Sequence, residues 1–288
     1  MLYWVCYVVE RIAEFDMAEK LTMEQLRAFE VPSGSLTVWW IGQGGFFLKS
    51  PQGVLVVLDP YLSDFCEKEG QRMGMDARRR VPAPLTPAEL VGVDLYVMTH
   101  SHPDHMDPET IPAYREAGGR GPYLAPPETW ERLQEQFGIP ADEITMVWPN
   151  KSHKIGDLTL TTTFAIGFGA DDMTHVGYLA SVEGGPTFYF TGDTAYEELV
   201  ARGVRDHRPD VMFAVINGGF RNLGPAEAAR LTREVDPKIV IPCHHDMFRC
   251  NTASPEMLRT NLIIDNLGEK YRLLEHFQTW TYPQDAGL

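Results

Sequence analysis

The sequence has few cysteines, few basic residues and no low-complexity linker. Its four cysteines form no CxxC pair, which favours free thiols in a reducing compartment over a disulfide scaffold. Lys and Arg number 25 against 40 Asp and Glu, and the net charge of −15 disfavours nucleic acid as a partner, because it repels phosphodiester backbones. The apolar run MLYWVCYVVE lacks a basic flank and a cleavage site and is too short to span a bilayer. We therefore expect a cytoplasmic protein with no membrane partner.

What the sequence does contain is a sizeable core and a β-rich order of segments. Hydrophobic residues make up 44% of the 288 residues. We expect residues 1–34 to form an N-terminal extension and residues 35–288 to form one domain. Segments such as LTVWWIG, VDLYVMT and DVMFAVING predict strands, and the polar, proline-containing stretch 63–92 indicates a long excursion between them. Two β-rich halves, each followed by helices, predict two sheets packed face to face with helices outside.

The stretch MTHSHPDHMD, residues 98–107, is the strongest functional signal. His100 and His102 are two residues apart, so in an extended chain they point the same way and can meet one cation. Pro103 then bends the path, and Asp104 and His105 can face a second position beside the first. The H-x-H-x-D-H pattern thus offers two pairs of metal ligands within six residues, and a polar loop without function is the alternative.

Three later stretches offer further ligands. Asp193, in FYFTGDTAY, follows a predicted strand, where a carboxylate can bridge two cations. VIPCHHDMF brings His244 and His245 to another strand end, and one of the two can complete the second metal. His175 directly precedes the predicted strand VGYLASV; it is either a ligand or a strand-edge histidine without a metal.

Taken together, these motifs resemble the metallo-β-lactamase superfamily. The resemblance rests on H-x-H-x-D-H, on TGD and on P-x-H, over roughly residues 35–250. It implies an α+β fold, a four-layer αββα sandwich, with two divalent metal ions at one edge between the sheets. By this resemblance the first metal takes His100, His102 and His175, the second takes Asp104, His105 and His244, and Asp193 bridges them.

Other stretches resemble one branch of that superfamily, the L-ascorbate-6-phosphate lactonase family. They are VWWIGQGGFFLKS, LDPYLSD, INGGF, GPAEAARL and IPCHHDMF. The resemblance implies a homo-oligomeric hydrolase that uses a metal-bound hydroxide on a small, anionic ester or lactone. Residues 62–92, where substrate contacts are expected, do not match the family well.

Several residues are candidates for roles around the metals. We expect Asp104 to orient the nucleophile and to take its proton, and His245 is a second catalytic candidate or a structural residue. Asp59, which ends the strand of VLVVLDP, is either an acceptor for a ligand histidine or a strand-end cap. Arg221 and Arg249 are the best candidates to contact an anionic substrate. The ligand types suit zinc or manganese, and iron is also possible.

Three alternatives to the lactonase interpretation remain at this point. The same ligands permit a phosphodiesterase acting on a small phosphodiester or a phospholipid head group. A redox protein of the flavodiiron type is disfavoured, because that group has a glutamate where this chain has His102. A non-catalytic metal-binding module is the third alternative.

Overall fold

Two β-sheets form the centre of the structure, a computed structural model that describes residues 21–167 and 174–287. The strands are β1 (Leu36–Gly42), β2 (Gly45–Lys49), β3 (Leu55–Leu58), β4 (Leu95–Val97), β5 (Tyr123–Ala125), β6 (Ile144–Met146), β7 (Ser152–Ile155), β8 (Leu158–Phe164), β9 (Val176–Val182), β10 (Thr187–Phe190), β11 (Val211–Val215), β12 (Ile239–Cys243) and β13 (Thr279–Tyr282). The helices are α1 (Met23–Ala28), α2 (Phe65–Arg72), α3 (Thr110–Glu116), α4 (Pro127–Phe137), α5 (Glu198–Arg202), α6 (Pro225–Val235) and α7 (Pro255–Ile264).

Both sheets combine a parallel part with an antiparallel part. The first sheet has the order β13-β1-β2-β3-β4-β5-β6, in which β3 to β6 run parallel. The second has the order β12-β11-β10-β9-β8-β7, in which β10 to β12 run parallel. Parallel neighbours end at the same edge, so the loops that follow β3 and β4 lie together, as do the loops that follow β10, β11 and β12.

The two sheets pack face to face, and helices cover their outer faces. Phe46 of β2 contacts Phe213 of β11 across the interface, with ring centroids 4.9 Å apart. On the other side of the first sheet, Ile111 of α3 and Leu133 of α4 share a buried cluster with Tyr96 of β4. Helix α6 contacts β11 of the second sheet. This is the α+β, four-layer αββα sandwich that the sequence predicts.

The alternation of side chains in β1 explains why this strand is buried throughout. Trp40 points into the core between the sheets. Its neighbour Trp39 points the other way and meets Phe29 edge to face, with centroids 5.4 Å apart. Successive side chains of a strand face opposite sides, so a strand covered on both sides is buried at every position instead of at every second one.

Some elements differ from the sequence-based expectation. The stretch 63–92 is not only a polar excursion, because it contains α2 and a 3₁₀ turn, Pro87–Leu90, which begins with a capping box between Thr86 and Glu89. The predictions also omit β5, β6, β7 and β13, which have only three or four residues each. Short strands carry little pattern of their own, and β4, which also has three residues, is predictable only because it lies within the longer stretch VDLYVMT.

Helix α1 is attached to the first sheet. Leu26 is buried, and Lys49 Nζ of β2 donates a 2.8 Å hydrogen bond to the Leu26 carbonyl. Residues 1–20, which hold most of the expected N-terminal extension and its apolar run, lie outside the described residues. The domain boundary at residue 34 therefore stays a prediction. Within the described part of the chain, no helix combines the length and apolarity needed to cross a membrane.

Candidate metal centre

The candidate ligands lie at the ends of strands from both sheets. Residues 100–105 follow β4, Asp193 follows β10, and His244 follows β12. His175 directly precedes β9, and since β9 is antiparallel to β10, the start of β9 lies beside the end of β10. The topology therefore brings four distant parts of the sequence to one edge of the sandwich.

His100, His102 and His175 form the first group of candidate ligands. Their ligand atoms lie within 4.8 Å of one another, and His100 Nε2 is 2.9 Å from His102 Nδ1. A backbone hydrogen bond of 3.0 Å from Val176 N to Thr99 O joins the two sheets here and holds His175 beside the loop. The structure brings together the three histidines that the resemblance assigns to the first metal.

Asp104, His105 and His244 form the second group, and their ligand atoms also lie within 4.8 Å of one another. Asp104 Oδ2 is 3.4 Å from His244 Nε2 and 3.8 Å from His105 Nε2. Both histidines are fully buried, whereas Asp104 is partly exposed. This group therefore opens to solvent at Asp104.

Asp193 lies between the two groups. Its Oδ1 is 3.4 Å from His105 Nε2 and 3.4 Å from His244 Nε2, and with His100 and His105 it forms a third cluster of potential ligands. The other oxygen, Oδ2, accepts a 2.6 Å hydrogen bond from Asn222 Nδ2. Asn222 therefore holds the carboxylate so that Oδ1 faces the histidines.

Asp59, at the end of β3, orients His105. Asp59 is buried, its Oδ2 lies 2.8 Å from His105 Nδ1, and its Oδ1 accepts a 2.8 Å hydrogen bond from Thr99 N. Because Nδ1 of His105 is engaged by Asp59, Nε2 is directed at the ligand group, as is usual where a carboxylate supports a metal-binding histidine. Of its two predicted roles, Asp59 has the contacts of the acceptor.

The charges of the two groups differ. Burial, together with the nearby His105, lowers the pKa of His100 well below its ordinary value, and burial also lowers the pKa of His102. Burial opposes the charged form of His244 as well, but carboxylates beside it, Asp193 first, outweigh this and raise its pKa to about 9. The pKa of His105 is raised for the same reason. At neutral pH His100 and His102 thus present neutral nitrogens, and His105 and His244 hold positive charge between carboxylates.

The buried polar atoms of this centre fit a divalent metal ion. His105 Nε2 and Asp193 Oδ1 face each other at 3.4 Å, and neither has a hydrogen-bond partner among the described residues. Buried polar atoms normally have such partners, and where they do not, an ion is one explanation. Imidazole nitrogens and carboxylate oxygens are also the ligands that zinc, manganese and iron accept.

The remaining predicted residues lie outside the three clusters of ligand atoms. His245 packs on Trp40, with ring centroids 4.7 Å apart, and its Nδ1 is 3.0 Å from Asp246 Oδ2. Arg221 and Arg249 are both exposed. Arg221 directly precedes Asn222, and its φ of 65° lies in the left-handed region that bulky side chains rarely adopt.

Two residues of the centre escape the sequence-based reasoning. Gln43 is fully buried, and its Nε2 donates a 2.8 Å hydrogen bond to Asp104 Oδ2. Asn222, besides holding Asp193, lies 3.3 Å from the side-chain oxygen of Asn217. The available signal is that both stand in glycine-containing turns after strands, IGQGG and INGGFRN. That signal is weak, since many turns have this composition.

A family model described as the beta-lactamase superfamily domain matches residues 55–245. The chain belongs to the metallo-β-lactamase superfamily. The matched range contains all the candidate ligands, from His100 to His244. This confirms the predicted superfamily.

Relatives of this superfamily member agree with the predicted branch. A probable L-ascorbate-6-phosphate lactonase, UlaG, of Salmonella heidelberg is 26% identical over 273 residues, which cover 82% of this chain and 77% of that protein. A UPF0173 metal-dependent hydrolase of Thermodesulfovibrio yellowstonii is 28% identical over 234 residues, covering 75% and 80%. The solved structure of Igni18, a metallo hydrolase of Ignicoccus hospitalis, has a TM-score of 0.66 at 20% identity and covers 86% of this chain and 98% of that chain. The chain is thus a metal-dependent hydrolase of the metallo-β-lactamase superfamily, with the fold of that superfamily.

Proposed function

We propose that the protein uses two divalent metal ions to hydrolyse a small anionic ester or lactone. The observation that carries this proposal is the position of Asp193, which forms one cluster of potential ligands with His100 of the first group and His105 of the second. A carboxylate that is shared between ligand groups suits a two-metal hydrolytic site. We infer zinc or manganese as the metal, with iron also compatible with these ligands.

The residues of the centre would hold the ions, and one of them would also handle the proton. One ion would be held by His100, His102 and His175, the other by Asp104, His105 and His244, and Asp193 would serve both. When bound, such ions lower the pKa of a water to about 7 and polarise the oxygen of the substrate. Asp104 is the partly exposed carboxylate of the centre, so it is available to orient the attacking water and accept its proton.

Exposed arginines near the centre support an anionic substrate. Two backbone hydrogen bonds, Arg80 N to Met247 O at 3.0 Å and Cys250 N to Asp76 O at 3.2 Å, align the excursion with the loop that follows β12. Arg80 and Arg249 are therefore exposed residues on neighbouring segments, and Arg249 follows the candidate ligand His244 by five positions, in a chain whose net charge is −15. Cationic groups in such a place attract a carboxylate or a phosphate.

The choice of a lactone follows the relative named a probable L-ascorbate-6-phosphate lactonase, whose name specifies a phosphorylated lactone. In this chain Arg79 fixes the start of the stretch 79–81 against Tyr61, because its side chain donates hydrogen bonds to Tyr61 O at 2.8 Å and to Val81 O at 2.7 Å. Nε and Nη1 of Arg79 are thus bound by the chain itself. Arg80, Arg221 and Arg249 are the arginines that we propose for the substrate.

The test is hydrolysis by the metal-loaded chain. Metal-stripped protein is loaded with Mn²⁺ or Zn²⁺, and L-ascorbate 6-phosphate is followed by its ultraviolet absorbance beside a panel of lactones, esters and bis-p-nitrophenyl phosphate. We expect metal-dependent hydrolysis of an anionic lactone or ester. The double variant His102→Ala/Asp104→Ala removes one ligand from each group and should lower kcat/KM at least about 100-fold.

A matched control removes the same two residue types elsewhere. The variant Asp142→Ala/His153→Ala changes an aspartate and a histidine that lie outside the ligand clusters, and it should retain activity. Turnover without metal, or in the His102/Asp104 variant, would contradict the proposal. Cleavage of bis-p-nitrophenyl phosphate alone would indicate that the substrate is a small phosphodiester or a phospholipid head group instead of an ester or lactone. Metal binding without turnover on the whole panel would indicate a non-catalytic module.

A further inference from the structure

The turn between β1 and β2 lies against the Asp104–His105–His244 group. Gln43, at the centre of this turn, has a φ of 50°. Its carbonyl accepts hydrogen bonds from His244 N at 3.0 Å and from Trp40 Nε1 at 2.9 Å. A Cβ added at Gly44 would come within 2.8 Å of His105 Cε1, so only glycine allows this approach. The backbone alone therefore fixes Gln43 beside two candidate ligands.

The side chain of Gln43 points into the same group. Its Nε2 lies 2.8 Å from Asp104 Oδ2 and 3.4 Å from His244 Nε2, and those two ligand atoms are themselves 3.4 Å apart. Ligand atoms around an ion with bonds of about 2.1 Å stand about 3.0–3.4 Å from each other. The end of the Gln43 carboxamide thus has the spacing of a further ligand.

The other end of this carboxamide is unsatisfied. Gln43 Oε1 is buried and has no hydrogen-bond partner within the described ranges. Half a turn of the amide exchanges Oε1 and Nε2 in nearly the same space. Without a cation, the amide N–H faces the Asp104 carboxylate, because it can donate a hydrogen bond to it. With a cation between the ligands, the amide oxygen is favoured at this position, because it can bind the cation.

We propose that Gln43 is a further metal ligand of the Asp104–His105–His244 group, and that it turns Oε1 to the ion. This inference rests on the proposed function, because it requires an ion at that group. Amide oxygens bind the harder ions, such as Mn²⁺, more readily than they bind Zn²⁺. Gln43 would therefore favour Mn²⁺ at this position and leave the three-histidine group unchanged.

The experiment measures Mn²⁺ binding to the metal-stripped chain by titration calorimetry. The wild type should bind two ions. In Gln43→Ala, one of the two dissociation constants should rise about 10- to 100-fold, the range seen when groups that support a metal are removed. In Gln43→Glu, which supplies an oxygen at the same place, that constant should stay the same or fall. Gln52→Ala, which changes an exposed glutamine of the β2–β3 turn, is the matched control and should leave both constants unchanged.

Gln43→Met, close to glutamine in volume but without an amide, should match Gln43→Ala, and it replaces that variant if the smaller side chain prevents folding. Unchanged constants in these variants would overturn the proposal. So would an equal loss in Gln43→Glu and Gln43→Ala, because that result indicates hydrogen-bond donation to Asp104 alone. A wild type that binds no Mn²⁺ and hydrolyses nothing would overturn the proposed function as well. A wild type that binds two ions and hydrolyses its substrate, with Gln43 variants that bind alike, would overturn only the role of Gln43.

Discussion

At the scale of single residues, hydrogen bonds decide which atom of each side chain faces the metal centre. Asp59 engages Nδ1 of His105, which directs Nε2 at the ligands. Asn222 engages Oδ2 of Asp193, which leaves Oδ1 for the histidines. Supporting contacts of this kind fix the tautomer and the orientation of a ligand before the ion arrives. They are therefore the places where one atom can be changed without removing a ligand.

Asp59→Asn tests this support. Asparagine tolerates the left-handed φ of 43° at this position, but its single oxygen cannot serve both Thr99 N and His105 Nδ1. We expect metal affinity to fall about 10- to 100-fold, measured by competition with a chelator. Asp157→Asn is the control. Asp157 is also buried, but it lies in the β7–β8 turn and accepts hydrogen bonds from Ser50 and Gln52 of the β2–β3 turn. Equal metal affinities in Asp59→Asn and the wild type would refute the supporting role.

The local motifs of the metal centre are readable in the sequence, as is Asp59 as a candidate support, but the supports Gln43 and Asn222 are not. Positions 100–105 form a continuous pattern in which strand geometry and a proline suffice to pair the side chains. Gln43 meets Asp104 across 61 positions of sequence, and only the packing of β1 and β2 beside β3 and β4 brings them together. A single glutamine in a glycine turn carries no mark of such a partner.

At the scale of secondary-structure elements, the centre results from where strands end. Parallel strands place the loops after β3 and β4 together, and the antiparallel pair of β9 and β10 sets His175 beside the end of β10. The longer strands are predictable from apolar runs, for example β1 and β11. Strands β5 and β6 are not, because three residues show no period; they exist because each pairs with a neighbour in the sheet.

Helix α1 offers a prediction at this scale, through the pair of Arg27 and Asp94. Arg27 donates to both oxygens of Asp94, at 2.8 and 2.9 Å, and Leu55 N donates to Oδ2 at 2.8 Å. Burial would raise the pKa of Asp94, but these hydrogen bonds, Arg27 first, outweigh it and lower the pKa. A pKa that is lower in the folded state than in the unfolded state stabilises the folded protein. This stabilisation is fully present when the pH is above the unfolded-state pKa of about 3.9, and it is lost as the pH falls through the folded-state pKa.

Asp94→Asn should therefore lower the free energy of unfolding at pH 7 by at most about 1 kcal/mol, because both side chains are about one-third exposed. The difference from the wild type should shrink as the pH falls below about 3.9. Urea unfolding of the metal-stripped protein from pH 7 to pH 3 measures both. If the difference in the free energy of unfolding between the wild type and Asp94→Asn grows as the pH falls, Asp94 does not have a lowered pKa in the folded state.

At the scale of the whole molecule, the sandwich determines where the candidate metal centre lies. The sheets supply two rigid edges, and the centre lies where their strand ends meet. The predicted α+β sandwich is confirmed, since β1 to β6 together with β13 form one sheet, β7 to β12 form the other, and helices lie outside them. The homo-oligomer and the cytoplasmic location remain predictions, because they depend on surfaces and surroundings that a single chain does not display.

The central claim is that two ligand groups and a shared carboxylate hold two ions, and counting bound ions tests it most directly. Metal-stripped chain is dialysed to equilibrium against Zn²⁺ or Mn²⁺, and the retained metal is measured by mass spectrometry for the wild type, His102→Ala and His244→Ala. We predict two ions per chain in the wild type and about one in each variant, because each variant loses a ligand of a different group. A wild type that retains no metal, or variants that retain as much as the wild type, would contradict the account.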